Sequence, residues 1–218
     1  MSHYILLTNP WASLVWCWEH GYWPGWLSLF RLIGSVFVCL ITWSPHDHAL
    51  TMLTEKIMMA NPFRDGAKPE AVRVSRYWHR WLGRICCMTP GDFPPGYLQI
   101  CTVIVLGDLY SHQAERIKEW MEQVDQVCAN PLAVLLTPFY RLLHWMGWRD
   151  PRCLHETPWQ LNCAALAYLA YDPTNAAGIP LAGMYPKDFL LLGQEVELTS
   201  SPYFVELGHG IKLKTRKS

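Results

Sequence analysis

Apolar residues run almost unbroken through the first forty positions, and one block stands out. Residues 26–43, WLSLFRLIGSVFVCLITW, hold a single charge, Arg31. As a helix this run rises roughly 27 Å, at the lower limit of what crosses the hydrocarbon of a bilayer. Trp23 and Trp26 mark one end and Trp43 the other, as interfacial belts do. Arg31 lies near the first end, where its apolar stem lets the guanidinium reach the headgroups. The pattern predicts an N-terminal membrane-anchor helix. Just upstream, ILLTNPWASLVWCW (5–18) is broken by Pro10 and is too short to span. It is expected to lie in the interface or double back against the span.

Beyond Trp43 the pattern changes. Ser44, Pro45 and Asp47 have the spacing of a helix cap, a first-turn proline and an acid facing the positive dipole end. Leu50, Leu53 and Ile57 follow at helical intervals up to Asn61-Pro62, so a helix is predicted here. Pro69 and Glu70 open a second predicted helix, AVRVSRYWHRWLGRICCM. On it Arg73, Arg76, Arg80 and Arg84 form one stripe beside a face of Val74, Trp78, Trp81, Leu82 and Ile85. YLQICTVIVL (97–106) reads as a buried strand or a helix start. A polar amphipathic helix is expected over 109–128, and a docked or interfacial helix over PLAVLLTPFYRLLHWMGW (131–148), where Pro138, Arg141 and His144 argue against a span. Thr157, Pro158 and Gln160 suggest a capped start for WQLNCAALAYLAY. The last thirty residues are strand-like, with Gly208-His209-Gly210 as a hairpin turn.

Composition changes this picture in one respect, location. Charged residues make up 17% of 218, below the roughly 25% of an ordinary globular domain, and there are 12 Trp and 10 Tyr. Eighteen basic residues balance 18 acidic ones, so no global field points to nucleic acid. No Lys or Arg precedes the apolar block, whereas Lys56, Arg64, Lys68 and the four stripe arginines follow it. That asymmetry predicts an outside N-terminus and a cytoplasmic remainder at a bacterial inner membrane. The start has no basic segment and no cleavage site of a secretory signal. The eight cysteines, none in a CxxC pair, read as reduced and mostly packed.

The chemistry is sparse. His46-Asp47-His48 places three metal-capable side chains in a row, and Asp108, His112, His144 or His155 could complete a site. On the predicted helix, however, His46 and His48 diverge by roughly 200°. Asp108 and His112 in GDLYSH have the spacing of an acid–base pair or of a capped helix. Nucleophile-elbow, P-loop and dinucleotide fingerprints are absent. Eight Cys and nine His leave room for Cys–His catalysis, but no local pattern selects a pair.

The expected fold is mainly α (α+β): a membrane-anchoring segment over 1–43, then a mostly helical cytoplasmic domain over 44–218 with a small antiparallel β-element at about 187–215. The layout resembles that of small inner-membrane accessory proteins of bacterial conjugation or secretion systems, including exclusion proteins of conjugative plasmids. That resemblance implies a non-enzymatic protein with partners in the bilayer and among membrane-complex subunits, needing no cofactor. Two other readings stand beside it: a metal-dependent hydrolase using His46 and His48, and a soluble nucleic-acid-binding protein using Arg73–Arg84, which the neutral charge disfavours.

Overall fold

The computed structural model describes residues 2–21, 26–53, 56–60, 85–88, 96–108, 115, 133–148, 162–172, 174–176, 178–197 and 214–215. Its organising element is the first strand, β1 (Ser2–Thr8). Tyr-Ile-Leu-Leu-Thr is apolar on both faces, and Ile5, Leu6 and Leu7 are all fully buried. A strand buried on both sides reads as a continuous apolar run. That is why ILLT mimics part of a membrane segment.

β1 pairs antiparallel with β2 (His48–Leu53) on one side and β5 (Thr102–Asp108) on the other. β3 (Lys56–Ala60) and β4 (Ile85–Met88) extend the sheet beyond β2. β6 (Gln194–Glu197) and β7 (Lys214–Thr215) extend it beyond β5. The described strands form one antiparallel sheet in the order β4-β3-β2-β1-β5-β6-β7. Gly193, just before β6, has no room for a side chain: a Cβ there would meet Ile104 and come within 2.6 Å of the Val105 carbonyl oxygen.

Both faces of the sheet are covered. On one, Ile5, Leu7, Ala49 and Ile104 pack against α4 (Cys163–Tyr171) and against α5 (Phe189–Leu192) through Phe189. The alanines of α4 are small enough to bring its backbone close to the strands: Thr51 Oγ1 donates to the Ala167 carbonyl at 3.1 Å. On the other face Leu6, Leu50, Met52 and Val103 pack against Trp16 of α1 (Pro10–Glu19) and against Tyr97 and Leu98 of a 3-10 turn. Asn9 caps α1, accepting from the Trp11 and Ala12 amides at 2.9 and 3.3 Å, and Pro10 takes the first helical position. The proline that seemed to interrupt an apolar segment therefore marks a strand-to-helix junction.

These findings correct the expected fold. The apolar block forms α2 (Trp26–Thr42), 17 residues, and no helix among the described residues is long and apolar enough to cross a membrane. The N-terminal segment supplies the middle strand of the sheet in place of an anchor, so the inner-membrane topology and the transmembrane assignment are withdrawn. Trp23 lies outside the described residues. Trp26 and Arg31 fall within α2, and Trp43 follows it at positive φ (49°), ending the helix. Residues 48–53 and 56–60, expected within a helix, are β2 and β3, and ICCM at the end of the expected basic helix is β4. Arg73, Arg76, Arg80 and Arg84 lie outside the described residues. The expected C-terminal β-element contributes β6 and β7 to the one sheet, while FLLL is the short α5. The helix expected over 131–148 is α3 (Ala133–Trp145).

Candidate functional site

At one end of the sheet, buried polar side chains concentrate. Thr8 ends β1, Thr102 begins β5, and His46, Asp47 and His48 lead into β2. Thr8, His46, Asp47 and His48 are all buried. Such groups are costly to bury unless they hydrogen-bond to one another. Thr8 Oγ1 donates to Asp47 Oδ1 at 2.9 Å, and His46 Nε2 lies 3.0 Å from Thr102 Oγ1. Ser44 Oγ accepts the His46 amide at 3.1 Å, so the residue read as a helix cap instead stabilises a turn into a strand.

The strand is irregular at this point. Thr8 stands opposite His48 in the register, yet its carbonyl also accepts the Asp47 amide at 3.1 Å. Asp47, just before β2, and His48 therefore both face Thr8, as in a bulge, which re-aims the side chain before it. His46 reaches Thr102, which shares the α4 face with Ile104 by strand alternation. The 200° divergence predicted for His46 and His48 on a helix does not apply, because the segment is extended.

The same end receives the N-terminus of α4. Thr51 bonds Ala167, and His3, opposite Leu53 in the register, packs edge-on against Tyr171 with ring centroids 5.4 Å apart. The helix thus runs alongside β2 in the same direction. Four residues back from Ala167 is ~6 Å of helix, or about two strand residues, which brings Cys163 level with Ala49 on the α4 face. Cys163 is a half-buried thiol in no disulfide, at the first helical position. Asn162 holds that turn: its Oδ1 accepts the Ala165 amide at 2.9 Å, and its Nδ2 donates to the Met184 carbonyl at 2.8 Å and to Thr137 Oγ1 at 3.3 Å.

Sequence reasoning singled out His46 and His48 but missed Cys163. The signal was present in Asn162-Cys163 at the head of an alanine-rich helix, a polar cap beside a thiol. It was obscured because the helix start was placed five residues earlier, at Thr157. Asp108 ends β5 and does not begin a helix, and His112 and His155 lie outside the described residues. His144 sits near the end of α3, its Nδ1 3.1 Å from the Trp148 carbonyl. Among the described residues no three His, Cys, Asp or Glu side chains gather as a metal ion requires.

Comparison with known proteins adds no relative: no family model, curated protein or solved structure matches the chain.

Proposed function

We propose that the protein is a cysteine-dependent acyl hydrolase or acyltransferase, with Cys163 as nucleophile and an imidazole of the His46-Asp47-His48 segment as base. What supports this reading is that the α4 N-terminus and His46, bonded to Thr102 on the α4 face, lie at the same end of the sheet. A thiol at a helix N-terminus beside an imidazole is placed to react as thiolate, because the dipole and the imidazolium both favour negative charge there. Amides of the first helical turn point out of the helix end, the direction from which an oxyanion is stabilised. The thiolate attacks the substrate carbonyl, the leaving group departs with a proton from the imidazolium, and water then cleaves the thioester. His46 is oriented by Thr102 on the α4 face, whereas His48 shares the α1 face with Leu50 and Met52 by strand alternation.

The test is a burst assay with p-nitrophenyl acetate. Wild-type chain is expected to release one equivalent of p-nitrophenolate per site and to carry acetyl on Cys163 by peptide mapping. Cys163→Ala should abolish both, and alanine at the catalytic histidine should slow the burst by roughly 100-fold or more. Comparing His46→Ala with His48→Ala identifies the base. A burst that survives Cys163→Ala overturns the reading.

The metal-dependent reading loses support, since His46 is engaged with Thr102 and no third ligand gathers there among the described residues. A protein-interaction role without chemistry would leave this buried polar end unexplained.

A further inference from the structure

The first strand changes character at the end away from Thr8. His3 is where β1 begins to pair with β2, opposite Leu53, and it stands opposite Gly107 of β5. Between His3 and Tyr4 the register against β5 shifts, which leaves Leu106 of β5 as an extra residue. Leu106 packs against the α4-face core, as does Tyr171. A bulge of this kind interrupts the ladder and is a point where pairing can end. Residues 2–3 are therefore joined to the sheet only through Ser2–Asp108, His3–Gly107 and His3–Leu53, and the bulge separates them from Tyr4–Thr8 along β5.

This weakly joined end carries a buried titratable ring. His3 is fully buried, and neither ring nitrogen has a hydrogen-bond partner among the described residues. Its ring meets the edge of Tyr171, the last residue of α4, with centroids 5.4 Å apart. A neutral imidazole is tolerated in such a place, but an imidazolium would be a charge with neither water nor counter-ion. The carboxylate at this end of α4, Asp172, already accepts from the Tyr168 hydroxyl at 3.4 Å and from Thr174 Oγ1 at 3.0 Å. In the ladder Lys56 pairs with Leu53 and Asp108 with Ser2, so neither stands opposite His3.

We propose that His3 is an acid-released latch: when its ring takes up a proton, Ser2 and His3 leave the sheet at the bulge while Tyr4–Thr8 stay paired. The proton comes from solvent, and the ring, once outside, is hydrated as in an unfolded chain. Opening at a strand end breaks few pairs, so it costs less than unfolding the whole sheet. The far end of the strand, where Thr8 bonds Asp47, keeps its contacts. The latch does not depend on the acyl-transfer reading, since it uses none of the residues of that site.

The experiment follows amide hydrogen exchange of the full chain at pH 7 and pH 5, corrected for the exchange of unprotected amides at each pH. Burial lowers the His3 pKa from 6.5 to about 3, so the opened form should gain about 25-fold over the closed form between the two conditions. Protection over residues 2–3 and 107–108 is expected to fall by that factor, while residues 4–8 and 48–51 keep theirs. His3→Phe, which retains the edge contact with Tyr171, should abolish the difference between the two conditions. His3→Leu should do the same with a smaller side chain, should the phenyl ring prevent folding. Loss of protection spread evenly over residues 2–8 overturns the latch, because the strand then opens as a whole. Unchanged protection at pH 5 also overturns it, as does a local loss that persists in the His3 variants.

Discussion

His3 shows how much one buried ring can impose on stability. It stands on the α4 face of β1, fully buried, with neither ring nitrogen hydrogen-bonded, and its one described ring contact is the edge of Tyr171. Desolvation by burial pushes its pKa from 6.5 down to about 3. The folded state therefore refuses a proton that the unfolded chain accepts. Stability is fully present above pH ~6.5 and falls between there and pH ~3, by up to roughly 1.4 kcal/mol per pH unit. Replacing the ring with phenylalanine keeps the edge contact and removes the proton site. His3→Phe should flatten this acid limb in urea titrations at pH 4, 5, 6 and 7, and an unchanged limb would assign it to other groups.

At the level of elements, α4 joins fold to chemistry, and Asn162 is where the two can be separated. Asn162→Ala removes the cap and leaves the Met184 carbonyl without its donor, at a combined cost of about 2–3 kcal/mol. Asn162→Asp retains an oxygen for the Ala165 amide but loses both Nδ2 donations and sets a carboxylate next to Cys163. We expect the alanine variant to lose stability in thermal melts. The aspartate variant should slow the acetylation burst beyond what its stability loss explains, because a second negative charge disfavours the thiolate. Equal burst rates in wild type and Asn162→Asp would mean that α4 does not activate this thiol.

The same scale shows what the sequence revealed and what it hid. The α3 helix was legible because its apolar run is interrupted by Pro138, Arg141 and His144 and so reads as a docked helix, and the Ala-rich face of α4 permits the close approach to the strands that Thr51 and Ala167 show. β2 was misread because Ser44-Pro45-x-Asp47 copies a helix start and Leu50, Leu53 and Ile57 fall at helical spacing by coincidence. The true pattern is alternation on a strand buried on both faces, with Ala49 and Thr51 toward α4 and Leu50 and Met52 toward α1. Double burial erases the period-2 signal. The histidines were visible as a motif, but Cys163 lies more than a hundred residues away in sequence. Only the packing of α4 on β2 brings Cys163 to the same end of the sheet as the histidine segment.

For the molecule as a whole, the decisive feature is that its first strand sits in the middle. β1 bridges β2 to β5, partners separated by about fifty residues, and it contributes Ile5 and Leu7 to one core and Leu6 to the other. No half of the sheet can close without it, so the two cores are expected to melt as one unit. A buried leucine truncated to alanine costs roughly 2–5 kcal/mol, a large share of the 5–15 kcal/mol that holds a typical domain. Leu6 faces Trp16 and Tyr97, on the side away from Cys163. Leu6→Ala should nevertheless lower the denaturant midpoint of tryptophan fluorescence and that of the Cys163 acetylation burst together. Trp18→Ala, at an exposed position on the same side of the sheet, should shift neither by more than ~0.5 kcal/mol. If Leu6→Ala separated the two midpoints, the faces would be independent cores, and β1 would be a seam between them with no power to couple site and scaffold.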